Sequence, residues 1–112
     1  MEDEPFVKMR YAFRFLRLDL GQAERIASQF PGSKVRGIPD TPDFSIAVSV
    51  SEETNLDWIE DFVHDEGLAE EQYDFFISTL TDTDSRIVSM PTNMVNLLRK
   101  IGGSVEFSFT VV

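Results

Sequence analysis

Two stretches near opposite ends of the chain alternate apolar and polar residues with a period of two. From Val7 to Phe15 every odd position is apolar, and Lys8, Arg10 and Arg14 stand between. In "SVEFSFTVV" the residues Val105, Phe107, Phe109 and Val111 repeat the pattern with polar neighbours. Successive side chains of a strand point to opposite faces, so both stretches read as half-buried strands of a sheet with one apolar face. They are the most strictly alternating and most aromatic strands in the sequence. Their odd-numbered residues are expected in one common core, and the other face of the first strand is basic.

The intervening sequence supplies helices and further strands. "GQAERIASQFPG" spaces Ala23, Ile26, Ala27 and Phe30 as a helix, which Pro31-Gly32 ends. "KVRGIP" is a short strand. "DFSIAVSVS" alternates Phe44, Ile46, Val48 and Val50 with Ser45, Ala47 and Ser49, which makes a strand whose second face is small and polar. A helix then begins near "SEETNLD", with Ser51 or Thr54 as cap, Leu56, Ile59, Phe62 and Val63 as its apolar stripe, and Gly67 as a left-handed stop. "YDFFISTL", the loop signal "TDTDS" and "RIVSM" predict a hairpin, with a helix over 69–76 as the competing reading. "PTNMVNLLRKIGG" is a helix with Met94, Val95, Leu98 and Ile101 inward. The order is therefore β-α-β-β-α-β-β-α-β. "ERIASQFPGS" and "VNLLRKIGGS" superpose without a gap, so both ends are expected to be helix-to-strand units of similar build. This is α+β: a mostly antiparallel twisted sheet with helices on one face, related to the ferredoxin-like plan.

A chain of 112 residues with 42% hydrophobic content fits a single domain, expected over 6–112, with the acidic start 1–5 disordered. No run of 18 apolar residues is present, and the N-terminus has no basic flank or apolar region of a signal peptide. With no cysteine there is no disulfide framework or thiolate metal site. The expectation is a cytoplasmic protein that does not engage a membrane.

The net charge is −10, and it is unevenly placed. Between Gly37 and Ser85 there are fourteen carboxylates and no lysine or arginine. "DWIEDFVHDEGLAEE" alone holds seven carboxylates. Surfaces made for solubility intersperse both signs, whereas a one-signed patch repels itself and becomes useful when a basic partner arrives. Asp57, Glu60, Asp61, Asp65 and Glu66 are the candidates for steering such a partner, with Trp58 and Phe62 as aromatic anchors if they are exposed.

Catalytic and metal chemistry find little purchase. The sole histidine, His64, has no nucleophile turn to serve, and its helical neighbours Glu60 and Asp61 are best read as solvated beside it rather than as metal ligands. Asp82 and Asp84 lie in a stretch without the oxygens and glycine of a calcium loop. "GSK" at Gly32–Lys34 is a fragment of a loop rather than a Walker motif, and "PGS" before a strand is simple turn chemistry. The aromatic strands lack the basic-glycine-aromatic pattern of RNA-binding sheets, and the charge opposes phosphate backbones. No catalytic residue, cofactor, metal or nucleic-acid ligand is assigned.

The last third of the chain, "FFISTLTDTDSRIVSMPTNMVNLLRKIGGSVEFSFTVV", resembles the ending of a family of small bacterial α+β domains of unassigned function. Some of its members occur among immunity proteins of toxin systems. The likeness lies in two strands, a short loop, a helix that runs into small residues and an aromatic final strand. It implies a toxin-neutralising role and brings no catalytic residues. The family's tryptophan near the third strand has no counterpart, since Trp58 lies in the acidic helix. The expected function is thus a non-enzymatic acidic inhibitor or immunity-type module for a basic protein. The alternative is a small-molecule-sensing domain that binds its ligand against the sheet face of Ser45, Ala47 and Ser49.

Overall fold

A computed structural model of the chain describes residues 7–81 and 89–111. The elements are β1 (Val7–Leu18), α1 (Leu20–Gln29), β2 (Val35–Gly37), β3 (Phe44–Val50), α2 (Asp57–Asp65), a 3-10 turn (Glu70–Gln72), β4 (Tyr73–Thr81), α3 (Thr92–Ile101) and β5 (Ser104–Val111). The fold is α+β, with one open, mostly antiparallel five-stranded sheet in the order β2-β3-β1-β4-β5. β1 is antiparallel to both β3 and β4, and β5 alone runs parallel to its neighbour, β4. The acidic start expected to be disordered lies outside the described residues.

The period of two in β1 has the expected consequence. Phe13 and Phe15 are fully buried, and Tyr73 and Phe75 of β4 lie beside them in register. Phe13 stacks on Tyr73 at 5.3 Å and meets Phe75 edge-on at 5.1 Å. Ile46, Val48 and Val50 of β3 continue the same face. Ala23 and Ile26 of α1, Ile59, Phe62 and Val63 of α2, and Met94 and Leu97 of α3 bury their stripes against it in a single core. The even-numbered side chains of β1 from Lys8 to Leu16 are left on a sheet face without helices, and an irregularity after Phe15 turns Leu18 back into the core.

β5 departs from the expectation. Val105 packs against the core, but Phe107 is 60% and Phe109 46% exposed. The register places Phe107 beside Ile77 and Phe109 beside Thr79, on the core-facing side of the sheet. Being the edge strand, β5 has a neighbour on one flank only, and the helices cover the other end of the sheet. Alternation records that one face differs from the other; it does not record whether a helix reaches that far.

One local reading is corrected, and the choice over 69–76 is decided. The helix α2 starts at Asp57, not near Ser51, and neither Ser51 nor Thr54 caps it. Those residues close their own turn, in which the Ser51 amide donates to the Thr54 hydroxyl, while the Asp57 amide donates to Asn55. Residues 69–76 form a short 3-10 turn and the start of β4, so the strand reading holds over the helix. β1 and β5 take both edges of β4, and the hairpin expected from "TDTDS" and "RIVSM" falls for the most part on positions that the structure does not describe. Residues 82–88 of that segment lie outside the described residues, and Ser89 and Met90 are not in a strand.

The internal echo has a structural counterpart. α1 links β1 to β2 and α3 links β4 to β5, and the aligned Ile26 and Leu97 are both buried. α1 also starts with a capping box that sequence reading overlooked: Asp19 accepts from the Gln22 amide at 2.7 Å, and Gln22 accepts from the Asp19 amide at 3.0 Å.

Candidate functional site

The α2 surface follows from its stripe. With Leu56, Ile59, Phe62 and Val63 turned inward, the helical period places Asp57, Asp61, His64 and Asp65 outward, and all four are exposed. Glu60 and Glu66 lie at the margins and are only partly exposed. Glu60 meets Lys100 of α3 at 3.2 Å, and Glu66 accepts from Arg25 at 2.5 Å and from Gln22 at 3.2 Å. These two acids therefore tie α2 to α3 and α1. Among the described residues no Lys or Arg lies within 4 Å of Asp57, Asp61, Asp65, Glu70 or Glu71, and Asp65 touches only His64, at 3.3 Å.

The aromatic candidates separate. Phe62 is 5% exposed and has the Arg25 guanidinium over its ring at 5.0 Å, so it belongs to the core and is not available as an anchor. Trp58 is half-buried at the core's margin, stacked on Phe62 at 4.9 Å and edge-on to Phe30 at 5.7 Å.

Beside the acids runs a groove of about 680 Å³, bounded by α2, the 3-10 turn, the start of β4 and the end of α3. Val63, Leu68 and Ile101 give it an apolar floor, and Glu60, Asp61, Glu70, His64 and Lys100 form its rim. Tyr73 closes the bottom and donates its hydroxyl to the Ile101 carbonyl at 2.8 Å. Burial, and then the nearby Glu70 carboxylate, push the Tyr73 phenol above its usual pKa. Sequence reading marked the acids but missed Leu68, Lys100 and Ile101, which reach the groove only through packing of α3 against α2.

His64 is almost fully exposed and pairs with Asp65 alone, while the Glu60 proposed beside it turns to Lys100. Among the described residues no three acidic or histidine side chains converge as a metal site would require. Asp82 and Asp84 lie outside the described residues.

The opposite face of the sheet carries a second concavity, of about 430 Å³, over the small side chains Ser45 and Ala47 of β3. Arg14, Lys34 and Arg36 surround it. Arg14 donates from Nε to Asp74 at 2.7 Å and from Nη2 at 2.5 Å, and lies over the Phe76 ring at 4.3 Å. The hydrogen bond to Asp74 raises the guanidinium pKa further above its already high ordinary value. Asp74 itself is buried.

Compared with protein-family models, with curated proteins and with solved structures, the chain matches none. No helix among the described residues is long and apolar enough to cross a membrane.

Proposed function

We propose that this chain is a non-enzymatic binding module that takes a basic protein on its α2 surface, in the manner of an inhibitor or immunity protein acting in the cytoplasm. The supporting observation is the contrast between two kinds of carboxylate. Glu60 and Glu66 are spent on the fold, whereas Asp57, Asp61, Asp65, Glu70 and Glu71 are exposed without a lysine or arginine partner among the described residues, and two of them, Asp61 and Glu70, line the groove. Like charges left so close disfavour the free protein and favour a cationic partner, and the apolar groove floor offers that partner area to bury. The sheet order β4-β1-β3-β2 with α1 and α2 fits the ferredoxin-like plan, to which α3 and β5 are an addition.

The test is kinetic. A partner captured from the source cell should associate with the Asp57→Lys, Asp61→Lys, Asp65→Lys triple variant at least about tenfold more slowly at low salt, with the difference shrinking as the Debye length falls from ~30 Å at 0.01 M to ~8 Å at 0.15 M. The variant should remain folded, since all three side chains are exposed. An on-rate indifferent to the triple reversal would exclude this surface.

A further inference from the structure

We propose that the helix-free sheet face holds a separate binding site for a phosphate-bearing small molecule, in the concavity over β3. This goes beyond the acidic module and does not depend on it, because the two sites lie in different layers of the fold.

The cavity is a product of sheet register. Arg36 of β2 lies opposite Ser45, and Arg14 of β1 lies opposite Ala47. Two long cationic side chains thus flank a strand whose outward side chains are among the smallest available, and the space between them is about 430 Å³, within the range of small-molecule sites, roughly 300–1,000 Å³. Lys34, just before β2, joins the rim.

Its charge is anomalous for this protein. The chain has 20 carboxylates and 10 lysines and arginines, yet three cations and no carboxylate line this cavity. Three cations elsewhere in the molecule have acidic partners: Arg17 with Asp43, Arg25 with Glu66, Lys100 with Glu60. Lys34 and Arg36 are exposed, and among the described residues neither has a carboxylate within 4 Å. Arg14 plays a different part. Asp74 and Phe76 hold its guanidinium in place, so it forms a fixed wall, while Lys34 and Arg36 remain uncommitted.

The residue types select the ligand. A guanidinium fork matches the paired oxygens of a phosphate, an ammonium adds a point charge, and the Ser45 hydroxyl is a further donor. Leu16 and Ala47 provide apolar contact for the body of a phosphate ester. A dianion here offsets the repulsion between Lys34 and Arg36, which a neutral ligand would leave in place.

The test is a titration followed by amide NMR shifts at constant ionic strength, with inorganic pyrophosphate and ribose 5-phosphate as probes and chloride as the reference anion. Saturable shifts centred on Lys34–Gly37 and Ser45–Ala47 are expected. Lys34→Gln and Arg36→Gln should each weaken binding about tenfold, the loss of one charge-assisted contact. Arg99→Gln, which removes an exposed cation on α3, should change nothing, and circular dichroism should show all three variants folded. Tighter binding of the ester than of pyrophosphate identifies an ester as the ligand class. Equal or weaker binding identifies the free phosphate group. Shifts that never saturate, binding unaltered in folded Lys34→Gln and Arg36→Gln proteins, or a single-stranded oligonucleotide that binds more than about tenfold tighter than pyrophosphate and also perturbs Lys8 and Arg10, would overturn the proposal.

Discussion

Tyr73 shows how much one residue can hold together. Its ring stacks on Phe13 in the core, its hydroxyl fastens the end of α3, and its edge lies under the turn into β5. That turn requires glycine at 103: φ is +120°, and a Cβ there would stand 2.9 Å from the Tyr73 ring. Because burial raises the phenol pKa, the folded state keeps its proton at pH values where the unfolded chain, with a tyrosine pKa of about 10, has begun to lose it. The contribution is therefore fully present below about pH 10 and is lost as pH climbs through the raised folded pKa. Tyr73→Phe should cost about 1 kcal/mol at pH 7 for the lost hydrogen bond and then decline less than wild type between pH 9 and 11, as measured by urea denaturation. Parallel decline of the two proteins would place the alkaline sensitivity elsewhere.

Among the elements, β1 and β5 make an instructive pair because they look alike in sequence and differ in position. Phe13 sits in the central strand with neighbours on all sides, so Phe13→Ala should destabilise by roughly 3–5 kcal/mol. Phe107, 60% exposed on the edge, should tolerate Ser at a cost of about 0.5–1 kcal/mol, and chemical denaturation of both variants separates the two environments. The alternation itself was legible, as were the α1 and α2 stripes and the Gly67 stop, with φ of +62°, because these follow from local periodicity, whereas α3 buries Met94 and Leu97 and leaves Val95, expected inward, outside the core. What was not legible is set by pairing: which strand lies at the edge, and that β4 has both edges filled. The two sites divide the same way. The acids of α2 adjoin one another in sequence and were found, and Phe62, read both as part of the inward stripe and as an anchor if exposed, belongs to the stripe. The cleft over Ser45 and Ala47 draws on β1, β2 and β3, and although the small face of β3 was noticed, nothing local places Arg14 and Arg36 on either side of it.

At the scale of the whole molecule the fold has two unlike sides. Asp57, Asp61 and Asp65 lie in the helix layer, while Lys8, Arg10, Lys34 and Arg36 are exposed toward the bare face of the sheet, where the described strand carboxylates are Asp74, which is buried, and Glu106. The protein therefore carries an uneven charge across the sheet as well as a net negative charge, and the two properties respond to salt on different length scales. At ~0.01 M salt the Debye length, ~30 Å, exceeds the shortest extent of the molecule, 24 Å, so a negatively charged resin senses the whole −10 and repels it. At ~0.1 M the length is ~10 Å, and only the nearer face is felt. Retention on a cation exchanger at pH 7 should accordingly pass through a maximum at intermediate salt and vanish on either side, an orientation effect that a uniformly charged anion of the same net charge would not display.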